Sequence, residues 1–262
     1  MFEARGTRRF LAVAAALAFC LGPYLLVPLL SLTNNWRFPH LLPTDWQAQH
    51  WSHFLTGSAM VDSIGISLLI SLLVCAVATP LGFLAARYVA YHPRREQLLI
   101  TAYAPYVFSP VILATVLLYL YLKLDLVGSM LGVLAAQIMF AAGFALIFFV
   151  PFWNDHKRRL EELVYTLGGN RRQAFTQVLL PLFREPLLIC AFQTFLISWT
   201  QYGTTLLIGA GKVQTLPLKV YDFVAEANPQ YAAMAATLLI LPPALLIWFN
   251  RKLALISSQE PL

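Results

Sequence analysis

The side chains in this sequence that could do chemistry outside its apolar blocks gather in residues 155–185. Glu161-Glu162-Leu163-Val164-Tyr165-Thr166-Leu167-Gly168-Gly169-Asn170 leads on to Phe175, Val178, Leu180 and Pro181. Leu160, Leu163, Val164 and Leu167 recur at helical spacing, so a charged segment carries one apolar stripe. Gly168, Gly169 and Asn170 accept the left-handed backbone that closes a helix. A second helix presenting Ala174, Phe175 and Val178 follows and is stopped by Pro181. The predicted product is a helix–turn–helix on a membrane surface. Its chemistry is docking of a soluble partner.

Other candidates carry less. His50 and His53 have a spacing that could share a metal, but no carboxylate or third ligand stands beside them, so they read as exposed polar groups. Cys20, Cys75 and Cys190 lie in apolar blocks without a CxxC or an adjacent histidine, which supports neither a disulfide nor a metal site. Phe19 before Cys20, and an apolar run that continues to Leu32, argue against both lipidation and a cleaved signal peptide. No catalytic pair of side chains is evident, and no cofactor or metal is expected. Gly211-Lys212 is not a phosphate loop, since Leu206 holds the first glycine position and Val213 follows the lysine. Any ATPase must be a separate polypeptide.

The elements that would position the docking segment are read from apolarity. The 262 residues are 59% hydrophobic and 11% charged, more apolar surface than a soluble domain of this size could hide. The apolar residues come in blocks of about 20, enough to cross a bilayer as a helix. Six spans are predicted, at 10–32, 62–87, 97–122, 129–152, 187–210 and 231–250. They are helices because backbone in lipid must satisfy its own hydrogen bonds. The fold class is therefore all-α and polytopic. One domain covers 10–250, with a docking loop at about 153–186 and short tails at 1–9 and 251–262.

Arg37, Lys123, Lys212 and Lys219 fall on one side of this arrangement, and the rest of the 18 basic residues fall on the other. The positive-inside rule puts that richer side, with both termini and the docking loop, in the cytoplasm. The net charge of +6 reflects this bias and calls for acidic lipid, not nucleic acid. On the external side, Pro43-Thr44-Asp45 signals a helix start, and Trp46, Trp51, Phe54 and Leu55 suit an interfacial helix. Asp62 is expected to cap the second span. Prolines 23, 28, 80, 105, 110, 242 and 243 mark kinks.

The docking segment resembles the cytoplasmic EAA loop in permease subunits of bacterial binding-protein-dependent ABC importers. Glu162 stands for the family's glutamate, Gly168 for its glycine, and Val178, Leu180 and Pro181 for its V-x-L-P, while Leu163 and Val164 replace the two alanines. Asp62-Ser63, Ser198 to Gly203, Thr215-Leu216-Pro217 and Asn228-Pro229 are similar to permeases for polyamines, thiamine and ferric iron. The resemblance implies the type I importer permease fold in the bacterial inner membrane. It also implies separate ATPase subunits, a second permease subunit and an external solute-binding protein. It assigns coupling to Glu162, Gly168, Gly169, Phe175, Val178 and Pro181: Glu162 would face the ATPase, Gly168 would allow close approach, and Phe175 and Val178 would anchor the second helix.

Polar residues inside spans must face protein or a watery passage. Gln137, Gln193, Trp199, Gln201 and Tyr202 are the candidates for the translocation route, with helix–helix hydrogen bonding as the alternative for each. The near absence of ionisable groups within the spans argues against the rival reading, a secondary carrier driven by protons or sodium. The cargo reads as a small hydrophilic solute.

Overall fold

The computed structural model describes residues 2–33, 46, 49–107 and 109–257. Among these the chain is helical and holds no strand; Thr33 and Trp46 form an isolated antiparallel bridge. The helices are α1 (Phe2–Ser31), α2 (Gln49–Thr56), α3 (Ser58–Ala90), α4 (Arg95–Val107), α5 (Pro110–Lys123) and α6 (Met130–Phe149). They continue as α7 (Asp155–Thr166), α8 (Arg171–Leu182), α9 (Arg184–Trp199), α10 (Gly203–Gly209), α11 (Leu216–Ala225) and α12 (Pro229–Ser257). The chain divides into two compact units, one of residues 1–64 with 216–262 and one of residues 65–215.

In the first unit, α12 packs on α1 and α11. Asn228 caps α12, its Oδ1 accepting from the Tyr231 N–H at 3.2 Å, and Pro229 follows in the first turn, where its missing N–H costs nothing. The expected interfacial helix is shorter than the sequence suggests. It begins at Gln49, Trp46 sits in the bridge to Thr33, and the Pro43-Thr44-Asp45 start signal lies outside the described residues. Phe54 is buried in it, stacked on Tyr231 at 5.6 Å and tilted against Phe223 at 6.1 Å.

The second unit is built inside-out relative to a soluble domain. On α3, Leu68, Leu69, Leu72, Leu81 and Leu84 are exposed, whereas Ser67, Ser71 and Thr79 are buried with Ile70, Val74 and Ala78. Leucines suit contact with lipid, while small and hydroxylated side chains let helices approach and hydrogen-bond. Thr79 Oγ1 lies 2.9 Å from Thr194 Oγ1, tying α3 to α9. At Gly82 α3 crosses α6 closely, since a Cβ there would stand 2.3 Å from Ala145 Cβ on α6.

α3 and the run Met130–Phe152, which is α6 plus a closing 3-10 turn, are each long and apolar enough to cross a membrane unaided. Two other expected spans are broken. The third bends by 97° between α4 and α5. Ser109 precedes Pro110, which forces it to extended backbone (ψ 143), and it caps α5 through Val111 N–H. The fifth stops at Thr200 and restarts as α10 at Gly203, where a Cβ would be 2.7 Å from Val111 Cγ2. Asp62 does not cap the second span: it is exposed within α3, whose first residue is Ser58.

Candidate functional site

The segment expected to dock a partner is a pair of helices, α7 and α8, joined by a tight turn. Asn154 caps α7, its Oδ1 accepting from the Lys157 N–H at 3.1 Å. At the other end Gly168 takes φ +81, Gly168 N–H donates to Tyr165 O at 3.1 Å, and Gly169 N–H reaches Val164 O at 2.8 Å. This is the two-bond closure that glycine favours after a helix. A Cβ on Gly168 would meet nothing within 4 Å, whereas one on Gly169 would lie 2.5 Å from Val164 Cγ1. One glycine serves backbone conformation, the next serves space.

Asn170 starts a helix instead of ending one. Its side chain accepts from Gln173 N–H at 2.9 Å, and the Gln173 side chain accepts from Asn170 N–H at 2.8 Å. That reciprocal pair is a capping box. Pro181 does not stop α8, which runs on to Leu182. Residues Ala174–Leu179 widen into a π turn that precedes it. The wider turn relieves the clash between a proline ring and the carbonyl one turn back. The chain then bends by 72° into α9.

The buried face of α7 is rotated from the predicted stripe. Glu161 is buried and Lys157, Leu160 and Val164 are half-buried, while Leu163 and Leu167 are 54% and 79% exposed. Glu162 faces outward, its Oε1 3.1 Å from Arg158 Nε one turn back, and such exposed pairs are worth about 0.3–0.5 kcal/mol. Glu161 is the structural carboxylate: its Oε1 lies 2.5 Å from Arg87 Nη2 on α3 and accepts from Tyr165 Oη at 2.9 Å. That bond to Glu161 holds the Tyr165 phenol above its ordinary 10.0. Sequence reasoning missed Glu161, because two adjacent glutamates differ only by about 100° around a helix.

Aromatic rings seat the pair of helices. Trp153 lies tilted against Phe183 at 4.5 Å, and Phe83 of α3 meets Trp153, Phe149 and Phe183 at 5.1, 5.2 and 5.0 Å. Each such contact adds about 0.5–1.5 kcal/mol beyond burial. Lys157 donates to Phe152 O at 2.5 Å and lies 4.6 Å from the Phe183 ring; partial burial lowers its pKa from 10.5. On α8 the buried side chains are Ala174 and Leu179, with Phe183 just beyond it. Phe175 is 36% exposed and meets Phe83 at 6.4 Å, and Val178 is half-buried.

The intramembrane candidates divide. Gln137 is buried on α6 and straddles the break between α9 and α10: it accepts from Ser198 Oγ at 2.5 Å and donates to Thr205 Oγ1 at 3.0 Å. Thr205 in turn donates to Gln201 O at 3.3 Å, within the break. The amide therefore satisfies polar groups around an interrupted helix. Trp199 is buried and stacked on Phe195 at 5.8 Å, while Gln193, Gln201 and Tyr202 are half-buried. Thr205 was not foreseen and Ser198 entered only as the start of a resembling motif, although polar residues flanking a break are a usable signal.

Apolar-faced spans and a structured polar helix pair between two of them define a membrane permease. Residues 78–254 match the family described as "Binding-protein-dependent transport system inner membrane component", and the chain belongs to that family. It is similar to the diacetylchitobiose uptake system permease protein NgcG of Streptomyces coelicolor, 25% identical over 98% of this chain and 90% of the relative. It is also similar to the sulfate transport system permease protein CysW of Synechococcus elongatus, 28% identical over 65% and 64%. The fold matches a crystal structure of a bacterial ABC transporter involved in import of the acidic polysaccharide alginate, with TM-score 0.62, 15% identity and coverage of 96% and 97%. The fold is thus that of a type I ABC importer permease. Its relatives are permeases, not enzymes.

Proposed function

We propose that this chain is one membrane-spanning half of an ATP-driven importer, with both termini and the α7–α8 pair in the cytoplasm. A separate ATPase docks on that pair, a second permease subunit completes the pore, and an external binding protein delivers a small hydrophilic solute. The observation that supports this best is the outward face of α7. Leu163 and Leu167 stand exposed beside the left-handed turn at Gly168, on a helix whose buried face holds a lysine and a glutamate. Two leucines left outward at the end of a helix whose inner face holds a lysine and a glutamate suit a partner. Glu162, Gly168 and Gly169 belong to the docking face in this reading, and Phe175, Val178 and Pro181 belong to the second helix that supports it. Gln193, Gln201 and Tyr202 remain the candidates for the solute route.

The test is purification of the tagged chain from native membranes in mild detergent, beside Leu167→Asp. A co-purifying phosphate-loop ATPase, lost in the variant at unchanged membrane abundance, supports the proposal. A stable chain without an ATPase in several detergents would point to a self-sufficient carrier. For the captured complex, solute binding is then screened with polyamine, thiamine, ferric iron, disaccharide and sulfate.

A further inference from the structure

The docking helix α7 is joined covalently to α6 before it and, through α8, to α9 after it. Movement of α7 would reach those two spans through the chain itself. The structure adds a third attachment. Arg87 lies in the last turn of α3, which runs unbroken from Ser58 to Ala90 and extends about 50 Å at the usual rise per residue. Its guanidinium binds the buried Glu161 carboxylate at 2.5 Å and lies 5.7 Å over the Trp153 ring. One turn further on, Tyr91 Oη donates to the Asn154 carbonyl at 3.0 Å, and Arg158 sits 5.6 Å over the Tyr91 ring. The end of α3 is thereby clasped to the first turns of α7 at two levels.

An apolar seat would suffice for adhesion, and the rings of Phe83, Trp153 and Phe183 already supply one. Smooth apolar surfaces can slide, however, whereas the buried Glu161 carboxylate is left unpaired if the half-exposed Arg87 guanidinium moves away, which disfavours separation. A contact of that kind makes two elements move together. We propose that Arg87 and Glu161 are coupling residues: the pair transmits displacement of the docking helix to α3, a role separate from the docking surface itself. This rests on the docking reading above. Glu162, one residue away, is exposed and does not share the role.

The test uses the complete importer, purified with its ATPase and binding protein and placed in liposomes. Two quantities are read: the amount of ATPase that co-purifies, and inorganic phosphate release with and without binding protein. Glu161→Gln and Arg87→Lys should each retain the ATPase, yet lower binding-protein-stimulated phosphate release by about tenfold, in the range of ordinary coupling energies. Exchange of the two charges, Arg87→Glu with Glu161→Arg, should restore release to within about threefold of the wild type. Glu96→Gln, at an exposed carboxylate in the first turn of α4, should leave release unchanged. Normal stimulated release in both single variants would overturn the proposal. So would loss of the ATPase from those variants, which would make the pair part of the dock. If the exchanged variant does not insert, the two conservative single variants still decide the matter. Failure of the wild-type chain to bind any ATPase would instead overturn the docking reading.

Discussion

Substitution at the two glycines of the α7–α8 turn separates backbone conformation from space. Gly168 has φ +81 and an added Cβ would find nothing within 4 Å, so a side chain there is opposed only by the left-handed backbone. For an ordinary L-residue that costs about 1–2 kcal/mol, and asparagine tolerates the region far better. At Gly169 a Cβ would come within 2.5 Å of Val164 Cγ1 and 2.8 Å of Val164 O. The side chain could rotate away, but that carbonyl accepts the Gly169 N–H and closes the turn. If the turn presents the dock, its disruption should weaken ATPase binding by the same free energy, about 5–30-fold for 1–2 kcal/mol. The expected order of retained ATPase is wild type, then Gly168→Asn within about threefold, then Gly168→Ala, then Gly169→Ala. The assay is quantitative co-elution of ATPase with tagged permease, normalised to permease in the membrane. Gly168→Asn as poor as Gly168→Val would refute the conformational argument and leave a steric demand by the partner in its place.

Further predictions concern the membrane core and the docking helix. Gln137→Leu and Ser198→Ala should each lower thermal stability in detergent, and their double variant should fall short of the sum by about 0.6–1.7 kcal/mol, as direct partners in a membrane do. Additive losses would mean that the bond contributes nothing. Gly82→Ala should destabilise by about 1–3 kcal/mol, because its new methyl meets Ala145 backbone at 2.8 Å, and Ala145→Gly should rescue it only in part. Tyr165 should ionise above 10.0, as read from the phenolate absorbance that Tyr165→Phe removes. Because the folded pKa is raised, its contribution to stability is constant below pH 10.0 and falls as pH climbs past it.

Much of this architecture was legible in the sequence because apolarity and length decide what can cross a bilayer. The second and fourth spans are direct cases: Ile70, Val74 and Phe140 sit in uninterrupted apolar blocks that became α3 and α6. The order Glu162, Gly168, Val178, Pro181 likewise pointed to two helices joined by a glycine turn, which became α7 and α8. The break at Pro110 was marked only as a kink, and the one at Thr200 to Gly203 was hidden. Ser109-Pro110 and Thr200 to Gly203 lie within blocks apolar enough to pass for continuous helices, and the partners that satisfy the second break come from Gln137, more than sixty residues away. The orientation of α7 was also hidden. Its leucines defined the apparent inner face, but the Arg87 guanidinium and the aromatic seat drew Glu161 inward and left Leu163 and Leu167 outside. Local periodicity assumes that a helix buries its apolar side against its own chain, and α7 leaves Leu163 and Leu167 outside.

In the proposed importer the exposed end of α7 meets an ATPase. A photo-reactive amino acid at Leu167, irradiated in native membranes and followed by identification of the cross-linked protein, tests it most directly. One dominant product is expected, a phosphate-loop ATPase, which disappears when the probe is moved to the buried Leu179. Cross-links only to lipid or to the permease itself, with the chain properly inserted, would contradict it.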